Sequence, residues 1–321
     1  MGFDCSAYTT SVARVTPTGQ WCQSRRILPV PAGNRGLRAR DAVFAHMKNL
    51  PDLVEEVLAD IRIDDLAGVS VSVAPRPVVD SYLPPFLAGE AVARSLAALA
   101  RIPLFRTSHQ EGHIRAGLAG TGLPADQAFF ALHVSGGTTE LLAVEPSGPG
   151  WRFQLIGASD DLYAGQMVDR IGVLLGLPFP AGPEIDRLAE SVHDEEPIPW
   201  SRPRRLVNGW RISFSGPETA AERAVREGAD PARMARGVME AISQSLAALV
   251  VACGVAGPLL VIGGVAANTH LRRRLTHLLQ PHGVAVWFAD PDWSRDNAIG
   301  VAYLGLDALA RKRAGSAEEG V

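Results

Sequence analysis

Ser-Ala-Tyr-Thr-Thr-Ser-Val-Ala-Arg-Val (residues 6–15) and Ser-Gly-Gly-Thr-Thr-Glu-Leu-Leu-Ala-Val (residues 135–144) are two copies of one pattern. Each reads Ser-x-x-Thr-Thr and continues into a run that ends in Val. The pattern predicts a strand that enters a turn of small, hydroxylated residues and a second strand that leaves it. Such turns present backbone N–H groups and hydroxyls to a phosphate. Two of these hairpins, one opening each half of the chain, predict a duplicated, two-lobed protein that holds a nucleotide.

The rest of the chain fits two α/β lobes. Its 321 residues are enough for both, and short apolar runs alternate with amphipathic stretches. We predict strands at residues 12–15, 69–73, 129–134, 141–144, 259–262 and 284–288, and helices at 50–61, 89–100, 166–175, 232–251 and 297–310. Residues 120–126 are rich in Gly, Thr and Pro and mark the boundary. The predicted lobes are residues 1–125 and 126–296, with a C-terminal helix (297–312) that packs back on the first lobe.

Composition indicates a cytoplasmic protein. The chain is 47% hydrophobic and 20% charged, and its net charge of −3 gives no overall attraction to nucleic acid or membrane. Its three cysteines match neither a disulfide framework nor a zinc motif, which suits a reducing cytosol. We expect no signal peptide. The apolar stretch 246–267 is long enough to resemble a membrane span, but its glycines and proline favour a helix, a turn, a strand and a second turn.

Arginines cluster at residues 35–40, 202–205 and 272–274. Such clusters are usually solvated faces, and phosphate binding is the alternative for each of them.

Two histidines, His109 and His113, are four residues apart. On a helix both imidazoles share one face and can bind one metal ion; the alternative is a pair of surface histidines. A zinc-protease motif needs Glu directly after the first His, where this chain has Gln110. We therefore set the protease interpretation aside.

Three further segments carry candidate site residues. Ser135-Gly136-Gly137 follows an apolar strand, and its glycines either let a ligand approach the backbone or make an ordinary turn. Residues 263–268, Gly-Gly-Val-Ala-Ala-Asn, lie between a strand and a helix, an arrangement that favours a negative ligand group at the helix N-terminus; Asn268 is a candidate partner of a ribose or base. Ser294 or Asp296 caps the last helix, or Asp296 supplies a carboxylate ligand to a metal.

Taken in order, these motifs resemble the TsaD family, the transferases that make N6-threonylcarbamoyladenosine in tRNA and were formerly labelled glycoproteases. The resemblance covers essentially the whole chain. It rests on residues 109–113, on Val134-Ser135-Gly136-Gly137-Thr138-Thr139, on residues 165–170, 174–177 and 181–183, on Ser213-Phe214-Ser215-Gly216, on residues 263–268 and on Asp296-Asn297.

The resemblance implies a fold, a metal site and a nucleotide site. The fold would be the duplicated actin/Hsp70-like (ASKHA) α/β fold, with mixed sheets flanked by helices. His109, His113 and Asp296 would bind one divalent metal ion, iron(II) rather than zinc. The adenylate, threonylcarbamoyl-AMP or ATP/AMP, would contact Val134, Ser135, Gly136, Gly137, Thr138, Asp169, Gly182, Asp186 and Asn268.

The chain departs from the family pattern at several positions. Tyr8-Thr9 stands where the family has an acidic pair, and Ala74-Pro75-Arg76-Pro77 replaces a Gly-Pro-Gly-Leu segment. Thr138 replaces a His, Gln166 a Glu, and Glu218 a basic residue. These departures indicate a paralogous branch.

The expected activity is metal-dependent transfer of threonylcarbamoyl to N6 of the tRNA adenosine next to the anticodon, with AMP as the leaving group. tRNA and companion subunits of a transfer complex are the expected macromolecular partners, and no membrane is. Two alternatives stay open: a non-catalytic nucleotide-binding paralogue that scaffolds another subunit, and a carbamoyltransferase that acts on a small molecule.

Overall fold

The computed structural model describes residues 1–29, 37–78, 80–124, 126–147, 150–293 and 298–318. Its strands are β1 (Gly2–Cys5), β2 (Thr9–Val15), β3 (Trp21–Ile27), β4 (Val69–Ala74), β5 (Leu104–Ser108), β6 (Phe129–Val134), β7 (Thr139–Ser147), β8 (Gly150–Ser159), β9 (Arg204–Leu206), β10 (Gly209–Ile212), β11 (Gly257–Ile262) and β12 (Val284–Phe288). Its α-helices are α1 (Ala39–Leu58), α2 (Phe86–Ala100), α3 (His109–Ala119), α4 (Ala164–Leu174), α5 (Gly182–Glu190), α6 (Ser215–Arg226), α7 (Pro231–Ala252), α8 (Thr269–Leu279) and α9 (Ile299–Glu318).

The chain divides into two compact units. The first comprises residues Met1–Gly120 and Arg295–Val321, and the second comprises Thr121–Ser294. The first unit contains a five-stranded sheet in the order β3-β2-β1-β4-β5, and the second a seven-stranded sheet in the order β12-β11-β6-β7-β8-β10-β9.

Both sheets contain the same five-strand arrangement. In the first unit β1 is antiparallel to β2 and parallel to β4. In the second unit β6 is antiparallel to β7 and parallel to β11. The orders β3-β2-β1-β4-β5 and β8-β7-β6-β11-β12 therefore correspond strand for strand, and β10 with β9 extends the second sheet beyond this shared core.

The predicted repeat is the turn that joins the first two strands of each arrangement. Cys5 pairs with Thr10 across one hairpin and Val134 with Thr139 across the other. Each turn is closed by one backbone hydrogen bond: Ser6 N–H donates to Thr9 O at 3.1 Å, and the Ser135 N–H donates to Thr138 O at 2.8 Å. The Ser-x-x-Thr-Thr pattern thus has the same structural meaning in both units.

Helices cover both faces of the first sheet because its strands alternate their side chains. Phe3 packs in an apolar core with Leu50 and Leu53 of α1. The neighbouring Gly2 faces α9 instead, where an added Cβ would lie 2.5 Å from Ala302 N. On the same side, the Ser70 hydroxyl donates to Val301 O at 2.6 Å.

The predicted start of α1 is wrong. We predicted a helix at residues 50–61, but α1 begins at Ala39 and Pro51 lies inside it. Its buried residues form one stripe that continues past the proline: Ala42, His46, Leu50, Leu53 and Val57. Burial of this stripe outweighs the loss of one helical hydrogen bond at Pro51.

The core of the second unit is built around α7. This helix is long and apolar enough to cross a membrane by length and composition alone, yet 78% of that stretch is buried in the structure, as in the core helix of a globular unit. The region 246–267 is the end of α7, a turn and β11, followed by a second turn. The interpretation as helix, turn, strand and turn is confirmed.

A buried ionic cluster links α7 to α8. Glu240 accepts hydrogen bonds from His270 at 2.9 Å and from the Arg274 guanidinium at 2.7 and 2.6 Å. Burial alone would raise the pKa of Glu240, but the bonds from His270 and Arg274 outweigh it and hold that pKa far below its usual range. The carboxylate therefore stays charged and orders the start of α8.

The close packing of α9 against α3 requires a residue without a side chain at Gly300, and this requirement can be tested. An added Cβ at Gly300 would lie 1.8 Å from Gly112 O, so Gly300→Ala has to separate the two helix backbones. We expect a loss of about 1–3 kcal/mol in the free energy of unfolding, measured by urea titration followed by circular dichroism. Gly216→Ala is the matched control, because an added Cβ there meets nothing within 4 Å. Equal urea midpoints for the two variants would contradict this account.

Candidate metal centre and nucleotide loops

The two predicted metal-binding histidines lie on α3. The Ser108 hydroxyl caps this helix by accepting the Glu111 N–H at 3.2 Å, and the Glu111 carboxylate accepts the Ser108 N–H at 2.8 Å. This capping box starts the helix at His109. His113 follows one turn later on the same face, as the four-residue spacing predicts.

The imidazoles of His109 and His113 are close enough to share one ion. Their Nε2 atoms are 3.1 Å apart, and their ring centroids are 4.4 Å apart. Two nitrogen ligands at about 2.0–2.1 Å from one metal ion are themselves about 2.9–3.4 Å apart in octahedral or tetrahedral geometry. The donor pair therefore fits a divalent metal.

A buried carboxylate that the sequence did not single out orients His109. Asp4 of β1 is 1% exposed, and its Oδ2 is 2.8 Å from His109 Nδ1. Its other oxygen accepts the hydroxyl of Ser72 on β4. A proton on Nδ1 that is donated to Asp4 leaves the Nε2 lone pair for a metal. An acidic residue in an otherwise buried strand directly before the Ser6 turn was the available signal.

The third predicted ligand, Asp296, lies outside the described residues, as do Ser294 and Asn297. Among the residues that the structure describes, no group of three or more His, Cys, Asp and Glu side chains is placed to hold a metal ion. The donor set seen here consists of the two histidines.

The predicted nucleotide-binding residues all lie in the second unit. β6, β8, β10 and β11 are mutually parallel, so the segments that follow them lie at the same end of the sheet, at the carboxyl ends of these strands. We call this end the loop edge of the second unit. It carries residues 135–138, 160–163, 213–214 and 263–268.

The Ser135–Thr138 turn is held against the start of α4. Gly165 N–H donates to Ser135 O at 3.1 Å, and Ala164 N–H donates to the Thr139 hydroxyl at 3.0 Å. An added Cβ at Gly165 would lie 2.6 Å from Gly136 N, whereas a Cβ at Gly136 or Gly137 would meet nothing within 4 Å. The turn is thus packed from beneath and open above its glycines, as a phosphate-binding loop requires.

The Gly263-Gly264 turn touches the end of β6. Gly263 has a φ of 99°, and an added Cβ would lie 2.4 Å from Val134 O, so only glycine fits. Gly264 faces open space. The Asn268 side chain accepts the Leu271 N–H at 2.9 Å and caps α8.

Asp169 of α4 contacts the start of α5, where Gly182 lies. Asp169 Oδ1 accepts the Ala181 N–H at 2.8 Å. Burial raises the pKa of Asp169, and the Ala181 N–H partly offsets that rise. Gly182 begins α5 with nothing within 4 Å of an added Cβ.

Asp186, one turn along α5, is tied to α8. Its carboxylate accepts the N–H of Thr269 at 2.9 Å and the Thr269 hydroxyl at 3.1 Å. A carboxylate offers about four lone-pair positions, so Asp186 retains acceptor capacity for a ligand hydroxyl. The contact brings Asp186 next to Asn268.

Besides Asp4, sequence reasoning missed an acid at the loop edge, Asp161. Asp161, the second residue after β8, accepts from the hydroxyls of Ser213 and Ser215 at 2.5 and 2.6 Å and from Phe214 N–H at 3.1 Å. Burial would raise its pKa, but these bonds lower it. Asp161 thus fixes the Ser-Phe-Ser-Gly motif at the start of α6.

Glu218, the charge reversal relative to the family pattern, has a partner. Its carboxylate accepts a hydrogen bond from Arg170 of α4 at 3.1 Å. The ion pair joins α4 to α6 and accommodates the acidic residue at a largely buried position.

Comparison with known proteins identifies the family. The sequence model of "TsaD: tRNA N6-adenosine threonylcarbamoyltransferase" matches residues 31–303. The chain belongs to the TsaD family. A tRNA N6-adenosine threonylcarbamoyltransferase of Thermus thermophilus is 38% identical over 275 residues, which are 84% of this chain and 79% of the relative. The equally named protein of Methanopyrus kandleri is 29% identical over 314 residues, 95% of this chain and 86% of the relative.

Solved structures confirm the predicted actin/Hsp70-like fold class. Component A of the (R)-2-hydroxyglutaryl-CoA dehydratase of Acidaminococcus fermentans superposes with a TM-score of 0.60 at 14% identity, covering 96% of this chain and 98% of its own. HypF of T. kodakarensis superposes with a TM-score of 0.62 at 13% identity, covering 97% of this chain and 48% of its own. At such identity the likeness shows the fold alone.

Asp4→Asn tests the candidate metal centre of this TsaD-family chain. The amide cannot act as the charged acceptor of the His109 Nδ1–H, so we expect affinity for Zn²⁺ or Fe²⁺ to fall about 10–100-fold, measured by competition with a chromophoric chelator under anaerobic conditions. Asp64→Asn is the control, since its side chain is 76% exposed. Unchanged metal affinity in Asp4→Asn would contradict the orienting role.

Gly136→Ala tests the nucleotide loop. The fold has room for this methyl group, so the melting temperature should stay unchanged while ATP or AMP affinity falls about 10–100-fold through overpacking of the bound ligand. Calorimetric titration measures both affinities. Gly165→Ala is the contrasting variant: its Cβ collides with Gly136 N, so it should lower the melting temperature as well. Wild-type nucleotide affinity in folded Gly136→Ala would rule out this loop.

Proposed function

We propose that this chain transfers threonylcarbamoyl from threonylcarbamoyl-AMP to N6 of the tRNA adenosine next to the anticodon, with the help of a divalent metal ion. The observation that carries the proposal is the pair of Nε2 atoms 3.1 Å apart on α3, with His109 held by a buried Asp4, in a chain of the TsaD family. At 3.1 Å the two nitrogens can share a hydrogen bond or hold one ion, and membership in the TsaD family supports the ion.

The second unit supplies the binding surface for the AMP part of the donor. The open faces of Gly136 and Gly137 accept the phosphate, whose charge the backbone N–H groups of the turn stabilise. Asp169 and Asp186 accept ribose hydroxyls, and Asn268 contacts the ribose or base. Val134, Ser135, Thr138 and Gly182 complete the surface.

The first unit supplies the metal ligands. His109 and His113 would hold the ion through Nε2, and Asp4 orients the His109 ring by accepting its Nδ1–H. Asp296 is the proposed third ligand, and iron(II) rather than zinc is the proposed metal. Such an ion polarises a carbonyl and stabilises the negative charge that develops on its oxygen.

The reaction balances without a redox partner. The adenosine N6 forms a bond to the carbamoyl carbon, the bond from that carbon to the phosphate oxygen of AMP breaks, and N6 loses one proton. The products are threonylcarbamoyladenosine in tRNA and AMP. Tight positioning of donor and acceptor supplies much of the rate gain in such transfers.

Tyr8 and Thr9 bear on the two alternatives. The first turn, Ser-Ala-Tyr-Thr at residues 6–9, carries no carboxylate; the Thr9 carbonyl closes it, and Tyr8 is 44% exposed. A scaffolding paralogue or a carbamoyltransferase for a small molecule would tolerate that change. The histidine pair favours catalysis over the scaffold, and relatives named for action on tRNA favour tRNA over a small acceptor. Companion subunits and a cytoplasmic location complete the proposal.

Reconstituted transfer is the deciding assay. We expect the wild-type chain, incubated with threonylcarbamoyl-AMP, unmodified tRNA and the companion proteins of a bacterial transfer system, to yield threonylcarbamoyladenosine by nucleoside mass spectrometry. His113→Ala should lower the yield about 10²–10³-fold, because the carbonyl loses several kcal/mol of charge stabilisation. His277→Ala, which removes an exposed histidine on α8, is the matched control. A wild-type chain that forms no modified nucleoside would refute the proposed function.

A further inference from the structure

The hairpin of β9 and β10 lies outside the five-strand core that both units share. β9 (Arg204–Leu206) is the edge strand of its sheet and is exposed along its whole length. The corresponding edge of the first unit ends at β3 among the described residues. The repeated core therefore does not account for this hairpin.

The hairpin and the segment before it are strongly basic. Residues 197–217 contain four arginines and no acidic residue, in a chain whose net charge is −3. Two of the four have the same partner: Arg204 and Arg211 contact Asp160 at 2.5 and 3.3 Å. The other two, Arg202 and Arg205, are exposed.

Arg202 and Arg205 each lie over an indole ring. The Arg202 guanidinium carbon is 5.8 Å from the ring centroid of Trp200, and that of Arg205 is 6.0 Å from the ring centroid of Trp210. Trp200 is 37% exposed. The surface thus offers two cationic groups next to flat aromatic side chains, a combination that binds both phosphates and bases.

This basic surface begins at the loop edge of the second unit. β9 is antiparallel to β10, so β9 begins where β10 ends. Next to this start, the Ser213 N–H donates to the Ser201 hydroxyl at 2.8 Å. Trp200 and Arg202 therefore lie beside the segment that leads into α6, and Arg205 lies further along the edge strand.

At the other end of the hairpin lies an open cavity of about 480 Å³, lined by Val207, Asn208, Arg211 and residues 154–156. A cavity of this size has room for an unstacked base.

We propose that the hairpin of β9 and β10, together with residues 200–203 before it, binds the phosphate backbone and unstacked bases of tRNA. Arg202 and Arg205 would contact phosphates, and Trp200 and Trp210 would provide stacking surfaces. This rests on the proposed function and assigns it a binding surface. A single-stranded loop of RNA presents both chemical groups that the hairpin matches, since its phosphates are charged and its bases can be splayed out. An acidic peptide would match the arginines but not the indoles.

Binding of bulk unmodified tRNA at several salt concentrations tests this surface. For Arg202→Ala/Arg205→Ala we expect at least about tenfold weaker binding, and a salt slope reduced by about two, because two phosphate contacts are lost. Arg202→Lys/Arg205→Lys should keep the salt slope, since the charges remain, while affinity falls about three- to tenfold with loss of the planar guanidinium. Filter binding measures both quantities.

Arg223→Ala/Arg226→Ala is the charge-matched control. It removes two exposed arginines of the same unit from the second half of α6, where Arg226 also pairs with Glu222. It should leave the affinity for tRNA within about twofold of wild type, because both residues lie about 12 Å or more along α6 from its first residue, beyond a Debye length of roughly 8–10 Å. Melting curves and ATP titration check that every variant folds and keeps the nucleotide site.

The outcomes separate this surface from the proposed function. The hairpin proposal would be overturned if wild type binds tRNA in a salt-sensitive way and Arg202→Ala/Arg205→Ala binds it equally well. It would also be overturned if the α6 control loses as much affinity for tRNA. Either result would leave the transfer proposal standing. Absence of salt-sensitive tRNA binding by wild type would overturn both. A self-associating wild type, seen by sedimentation, whose tRNA binding the hairpin substitutions do not change would assign the β9 edge to protein pairing and likewise overturn the hairpin proposal.

Discussion

A single backbone hydrogen bond, made twice, is the constraint on which the candidate sites depend. Ser6 N–H to Thr9 O and Ser135 N–H to Thr138 O close two four-residue turns at the same place in two equivalent sheets. The closure sets the hairpin register, and the register determines which residues lie beside each turn. In the first unit it places Asp4 at the end of β1 beside α3; in the second it places Gly136 and Gly137 over the start of α4. The duplicated sequence pattern therefore encodes two positioned loops as well as two hairpins.

The sequence predicted those parts of the molecule that depend on local pattern. β6 and β12 have the predicted bounds, Phe129–Val134 and Val284–Phe288, because β12 is a continuous apolar run and β6 is one apart from His133. The four-residue spacing of His109 and His113 likewise led to a shared face. β3 was missed because its sequence, Trp-Cys-Gln-Ser-Arg-Arg-Ile, is half-exposed and carries no apolar alternation. α5 and α8 were missed because helices of nine and eleven residues are stabilised mainly by packing.

Contacts between distant segments explain what local patterns could not reveal. Asp4 and His109 are 105 residues apart in sequence, and Asp186 and Thr269 are 83 apart, so neither pair is visible without the fold. The same holds for Glu218, which stands where the family pattern has a basic residue. In the structure the Arg170 guanidinium lies 3.1 Å from its carboxylate, so the acidic side chain is paired. A departure from a family pattern has to be judged together with the side chain that it faces.

The arginines of this chain show why net charge is a poor guide to nucleic-acid binding. Across the described residues many of them are committed to nearby acids, as Arg26 is to Asp52 and Glu56, and Arg273 is to Glu190. A paired guanidinium contributes little to the field felt by a distant phosphate, because its charge is neutralised within a few ångströms. Attraction to RNA then depends on the few cationic groups held next to other ligand-binding chemistry. Arg202 and Arg205, on their indole rings at an edge strand, satisfy that condition even in a protein of slightly negative net charge.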